Sequence, residues 1–258
     1  MKKLPRTIHI EGSRMPPGKS DPEAVQFPAL KGQFLVVEEK VDGSGVSIFL
    51  DNHLNLQIWH RGSPAIGKEY HQLHHWADNH WEDFADLLGE RYILFGEWMY
   101  HKHAIFYDML PHFFLESDIY DKEREVWLST NARNNFLKGH HYLKQVPVIA
   151  AFKPSALEQI TSLVGKSKYI SPEWEKNLQL KCLMSGASFA KTMEETETSG
   201  LMEGLYIKQE DDLTVINRYK YIRYDFLQKI LDSGTHLRDR IPITNMVSGT
   251  VEHTDGLL

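Results

Sequence analysis

The sequence predicts an α+β domain, and three observations carry that expectation. Short runs rich in β-branched and aromatic residues recur between turn-forming residues, as in Phe34 to Glu39, Val46 to Leu50 and Leu54 to Trp59. Leu73, Trp76, Ala77, Trp81, Phe84, Ala85 and Leu88 recur at helical spacing and stop at Gly89, a residue suited to a helix C-terminus. No internal repeat, low-complexity tract or flexible linker divides the chain.

Taken in order, residues 1–33 are turn-rich, with Pro5, Pro16, Pro17, Pro22 and Pro28, and read as an extended arm anchored by Ile8, Ile10 and Met15. The runs from Phe34 to Trp59, separated by Asp42-Gly43-Ser44-Gly45 and Asp51-Asn52-His53, read as an antiparallel meander. A helix over 68–88 follows, then strands from Arg91 to Glu97 and His112 to Tyr120. Residues 130–198 are mostly helical in propensity, broken at Pro147, Pro154 and Pro172, and 201–226 return to strand character. The expected division is an arm (1–33), a core (34–226) and a short C-terminal extension (227–258), all of one domain.

Composition narrows the function classes. With 258 residues, 29 Lys+Arg against 35 Asp+Glu and 41% hydrophobic residues, the chain is ordinary for a globular protein. Its net charge of −6 argues against indiscriminate coating of nucleic acid. No apolar stretch approaches the roughly 18–20 residues of a membrane span, and no apolar segment follows Lys2-Lys3, so neither membrane insertion nor secretion is expected. A lone cysteine, Cys182, fits a reducing compartment, and the expected location is the cytoplasm.

Chemistry concentrates at Glu38-Glu39-Lys40-Val41-Asp42-Gly43, where a lysine ends an apolar strand and a Gly-containing turn follows. A lysine fixed there can be a nucleophile once neutral, and burial or neighbouring cations lower its pKa toward the working range. A hairpin whose Asp-Gly turn follows a surface lysine accounts for the same residues. Two other patterns lead nowhere. Gly18-Lys19-Ser20 ends like a P-loop, but Ser13 stands where the first glycine belongs. His71, His74 and His75 share helical spacing, yet they lack the companion ligands of a zinc site.

The ordered series Lys40-Val41-Asp42-Gly43, His60-Arg61-Gly62, Phe95-Gly96-Glu97-Trp98, Phe113 to Asp121, Glu203 to Lys208 and Arg218-Tyr219-Lys220 resembles the motifs of the covalent nucleotidyltransferases. Within that superfamily it is similar to ATP-dependent RNA ligases, the group of the phage nick-sealing enzymes and many bacterial relatives. The stretch Pro5 to Arg14 resembles the start of bacterial members. The resemblance implies an adenylyltransferase (ATP-grasp-like ligase) fold, with two antiparallel sheets forming a nucleotide cleft and helices outside. It implies ATP and Mg²⁺ (or Mn²⁺) as cofactors, and RNA 5′-phosphate and 3′-OH ends as substrates joined through lysyl-AMP and RNA-adenylate. A DNA ligase, an mRNA guanylyltransferase or an inactive RNA-end-binding module are the alternatives. An end-healing kinase/phosphatase is a possible partner, and the residues after the last motif are too few for an OB-fold domain.

Residue by residue, the resemblance makes Lys40 the nucleophile, with Asp42 and Gly43 shaping the turn. Glu39 and Arg61 fall at nucleotide-binding positions, Arg61 toward ribose or the nucleic-acid end. Glu97 and Glu203 are expected to hold a metal or the ribose, two roles the sequence does not separate. Phe114 is the expected ring on adenine, although relatives often carry an aromatic residue at the position of Ser117. Arg218 and Lys220 are expected at the α-phosphate. Lys208 would reach the same phosphates or remain a solvated edge lysine. Lys102 and His103, close after Glu97, are further candidates for triphosphate or RNA.

Overall fold

The Asp-Gly step after Lys40 carries the chain from one sheet to another, and this crossover organises the molecule. The computed structural model describes residues 2–14, 24–226 and 240–249. Met15, the Gly18-Lys19-Ser20 run and most of the 227–258 extension lie outside the described residues. The strands are β1 (Ile8–His9), β2 (Leu35–Lys40), β3 (Ser44–Leu50), β4 (Leu56–His60), β5 (Ser63–Pro64) and β6 (Tyr92–Trp98). They continue with β7 (Phe114–Asp121), β8 (Val126–Trp127), β9 (Lys144–Gln145), β10 (Val148–Phe152), β11 (Gly204–Glu210) and β12 (Val215–Ile222).

One sheet has the order β1-β12-β11-β2-β10; the other runs β5-β4-β3-β6-β7-β8, with β9 beside β7. Pairing is antiparallel except for β1 on β12 and β9 on β7. Each sheet buries its outer face. Leu35 and Val37 of β2 pack with Leu205, Ile207 and Ile160. Val46, Ile48, Leu50, Ile58 and Leu94 pack under α1 (His71–Asn79) and α2 (Trp81–Leu88) through Leu73, Ala77, Phe84 and Leu88. The inner faces then oppose each other across a cleft, because alternate residues of a strand point to opposite sides.

Two expectations need correction. The runs from 34 to 59 are not one meander: β2 pairs with β10 and β11, whereas β3 pairs with β4 and β6. The Asp-Gly step makes no hairpin because its side chain is tied elsewhere, Asp42 Oδ2 accepting the amides of Ala104 (2.8 Å) and Ile105 (3.0 Å). The stretch 148–152, expected within a helical region, is a strand on the edge of β2. Its β-branched and apolar residues lie between Pro147 and Pro154, which leave too little chain for a helix. The arm lies on the body with Ile10 fully buried, and its Ile8–His9 extend the first sheet. No helix among the described residues is long and apolar enough to cross a membrane.

Deep in the cleft a buried charge network ties the sheets together. Arg133, on α3 (Thr130–Phe136), places Nη2 3.0 Å from Glu38 and Nε 3.4 Å from Glu116. Lys208 lies 2.9 Å from Glu38 and 3.7 Å from Asp118, and Arg218 lies 2.9 Å from Asp118. Three carboxylates of two sheets thus face three cations.

Candidate active site

At the open end of the cleft, Lys40 finishes β2 with its Nζ 2.8 Å from Glu203 Oε2 and 30% of its side chain exposed. Gly204 pairs with Lys40 across β2 and β11, which is why Glu203, just before β11, arrives beside the amine. Burial alone would lower the Lys40 pKa, but Glu203, Glu97 and Asp42 outweigh it and raise it above the ordinary lysine value. The expectation of a depressed pKa is therefore overturned for the free protein, which holds Lys40 as an ammonium ion. Burial pushes Glu97 up to about 7, against the opposing pull of Lys40, and raises Glu203 in the same direction.

The crossover fixes this end. Asp42 accepts the two loop amides through Oδ2, and its Oδ1 lies 3.5 Å from His103 Nδ1. The Asp42 amide donates to the Tyr107 hydroxyl. Burial would raise the Asp42 carboxyl, but His103, the Ile105 amide and Lys40 hold it at about 2. Gly43 is required by close approach, because a Cβ there would lie 2.5 Å from Met99 Sδ and 3.1 Å from the Trp98 carbonyl.

Two cavities flank the crossover. The smaller, about 320 Å³, is lined by Ser47, Trp59, Phe95, Gly96, Glu97 and Ser117 and is edged by Lys2 to Leu4 of the arm. The larger, about 820 Å³, lies on the side of Asp42, Gly43 and Ser44. Arg61 lines both. Its backbone sits at φ 49°, a conformation non-glycine residues adopt at a cost and that gathers at functional sites.

A family model described as RNA ligase matches residues 33–222. The chain belongs to the RNA ligase family. Solved structures with a similar fold include a mutant of Naegleria gruberi RNA ligase with ATP and Mn, at 19% identity and TM-score 0.54 over 88% of this chain and 61% of that one. The same organism's RNA ligase with PPi is 20% identical, with TM-score 0.54, over 90% of this chain and 64% of the other. A further mutant, with AMP and Mn, is 19% identical with TM-score 0.52, over 88% and 62%. This RNA ligase family member therefore spans less than two thirds of those chains. No curated protein matches it.

Of the residues expected in the site of this family member, Lys40, Arg61, Glu97, Glu203 and Lys220 converge. Lys220 shares a sheet face with Lys40 by strand register, and its charge acts on Glu203 and His9. The others are corrected. Arg218 binds Asp118 through Nε (3.1 Å) and Nη2 (2.9 Å), and Lys208 is fully buried on Glu38 and the Ser117 carbonyl. Both pair with each other at the level of Val36, four residues along β2 from Lys40, which is ~13 Å at strand rise. They hold the sheets together and are not at the phosphate position. Glu39 points to the opposite face of β2, where it meets Ser167 and Lys168.

Phe114 is not the adenine ring. It is fully buried in the outer core, 5.4 Å from the Trp76 ring, and Phe113 packs on Tyr100 at 5.0 Å, also away from the small cavity. A register shift in the β6–β7 pairing between Phe95 and Gly96 turns Ser117 to the cavity instead. Phe114→Ala should therefore cost about 3–5 kcal/mol of stability in a denaturation experiment while leaving half-saturation by ATP unchanged. A large change in ATP affinity with unchanged stability would contradict this placement. The aromatic residues that do line the cavity, Trp59 and Phe95, escaped sequence reasoning. The Trp59 indole N–H is buried without a hydrogen-bond partner among the described residues. The one signal was the departure at Ser117.

Burial pushes Glu39 up to about 7 from 4.5, with Ser167 and Lys168 offsetting only part. Folding thus tightens proton binding, so this group's contribution to stability falls as pH rises from about 4.5 to about 7. Glu39→Gln should match wild type near the lower pH and exceed it above the upper one, by on the order of 2 kcal/mol. Urea denaturation across that range checks the sign.

Mg²⁺ fits the donor set. Among the described residues no group of three or more His, Cys, Asp or Glu is placed to hold a metal. Magnesium commonly uses one or two carboxylates with phosphate oxygens and water, and Glu97, close enough to Glu203 for that carboxylate to raise its pKa, forms such a pair with it.

Proposed function

We propose that this RNA ligase family chain is a single nucleotidyltransferase domain that uses ATP to join RNA 5′-phosphate and 3′-OH ends. The observation that carries this reading is the Lys40 amine, fixed at a strand end in the cleft with Glu203 2.8 Å away and Glu97 and Lys220 on the same side.

Lys40 attacks the α-phosphorus; an N–P bond forms, the P–O bond to pyrophosphate breaks, and the amine gives up its proton. Glu203 is within proton-transfer reach. Lys220 and Arg61 supply positive charge to the phosphoryl oxygens and to the ribose or RNA end. Glu97 and Glu203 would hold Mg²⁺ or Mn²⁺, which when bound neutralises charge on the triphosphate. The small cavity takes the nucleoside, with Trp59 and Phe95 as its aromatic walls. AMP then passes to the RNA 5′-phosphate, and the 3′-OH displaces it. A role in cytoplasmic RNA repair follows, beside a kinase/phosphatase that makes 5′-phosphate and 3′-OH ends.

The test is a pair of assays. The protein should take up label from α-labelled ATP and not from GTP, and it should seal RNA ends in preference to nicked DNA. Label from GTP alone would make it a guanylyltransferase, and equal sealing of DNA would remove the RNA assignment.

A further inference from the structure

The N-terminal arm brings a side chain to the lysines of the site. On β1, Ile8 and Ile10 turn to the outer core with Leu35, Leu205 and Tyr219, so His9 between them faces the cleft, only 2% exposed. His9 stands opposite Lys220 in the parallel ladder, where partners in register share a face. Lys220 pairs in turn with Tyr206, and Tyr206 with Glu38, two residues before Lys40 on the same face of β2. An imidazole from outside the motif series therefore flanks both lysines.

The arm also grips the strand that presents Lys220. The Ile10 amide donates to the Lys220 carbonyl (3.0 Å), and the Arg14 amide donates to the Ile222 carbonyl (2.9 Å). Between these two bonds the chain passes Gly12 at φ 78°, a conformation that favours glycine. The Ile222 amide donates to Ser13 Oγ (2.9 Å), and the same oxygen lies 2.6 Å from His9 Nδ1, so one hydroxyl joins the imidazole to β12. Burial pushes the His9 pKa down to about 4, and Lys220, Lys40 and Arg6 act in the same direction. At neutral pH the ring is uncharged and adds no third cation beside the two lysines. A lysine ammonium rides on a flexible four-carbon stem, and misplacing a reacting or stabilising group by about 1 Å can cost about 10²-fold in rate. A braced neighbour on the flank of Lys220 thus bears on catalysis.

We propose that His9 is a positioning residue for adenylyl transfer: its imidazole, braced through Ser13 against β12, confines the Lys220 side chain so that the ammonium meets the α-phosphate oxygens. This rests on the ligase reading, in which Lys220 supplies charge to those oxygens. It adds that the arm belongs to the reactive centre as well as to the sheet.

The test is single-turnover labelling of the full chain by α-labelled ATP over a range of ATP concentrations. His9→Ala should lower the rate at saturating ATP by about tenfold, within what a misplaced group costs, and should move half-saturation by less than about twofold. In a Lys220→Ala background the same substitution should cost less than about twofold, because no ammonium remains to be positioned. His9→Asn keeps an uncharged partner for Ser13 and should recover most of the loss. No loss in His9→Ala, an equal loss with and without Lys220, a rise in half-saturating ATP at unchanged rate, or a His9→Asn chain as slow as His9→Ala overturns the positioning role. If His9→Ala fails to fold, Ser13→Ala carries the comparison, with a loss of about threefold expected while Lys220 is present, the size of one hydrogen bond, and none in its absence. A wild-type chain that takes up no label overturns the ligase reading itself, which is a separate result.

Discussion

Replacing Lys40 with alanine is expected to end covalent labelling by α-labelled ATP, a loss of roughly 10⁴-fold or more given what removal of a nucleophile costs. The amine sits 2.8 Å from Glu203 at the point where β2 ends. Lys40→Arg should fail equally, because a guanidinium stays protonated and offers no lone pair. Glu203→Gln makes a sharper companion. Burial lowers the Lys40 pKa and Glu203 is the largest influence raising it, so the variant's residual labelling should extend to lower pH than wild type. Labelling of Lys40→Ala at the wild-type level would remove the nucleophile assignment. An unshifted pH profile in Glu203→Gln would remove the ion pair from the account.

Arg133→Met is expected to cost about 3–5 kcal/mol of stability, because it leaves Glu38 and Glu116 buried with too little positive charge. Arg133 is only 1% exposed and faces both carboxylates, while Lys208 and Arg218 are shared with Asp118. Combining Arg133→Met with Glu116→Gln should recover part of the loss, since the second change removes one stranded charge. Equilibrium denaturation of the two variants decides the matter. A single variant within 1 kcal/mol of wild type would mean that water reaches the network.

The alternation of β2, β3, β6 and β7 and the periodicity of α1 and α2 were legible because each spans enough residues to show its period. Lys40, Glu97 and Glu203 were legible because the ordered motif series placed them. What was not legible was partnership between distant segments. Nothing local at Asp42-Gly43 reveals that Asp42 is tied to Ala104 and Ile105, which turns a hairpin signal into a crossover between sheets. The same limit misplaced Arg218 and Lys208. Both lie on the inner face with Lys220, but only the opposing sheet, with Asp118 and Glu38, decides that they are consumed in pairing. On β7 the register shift beside Gly96 reassigns which side chain looks inward, and no residue pattern announces a bulge.

The pairing of β2 with β11 has a consequence for synthesis. Lys40 leaves the ribosome early, but its partner Glu203 follows 163 residues later, and Ser13 reaches Ile222 across 209. Until those last strands emerge, β2 has β10 along one edge and an open ladder along the other, with Glu38 lacking Lys208. Closure of so long a loop is slow, and an uncovered strand invites pairing with neighbouring chains. A nascent chain halted before residue 203 therefore carries the nucleophile without its carboxylate partner and with one edge of β2 open to pairing with its siblings.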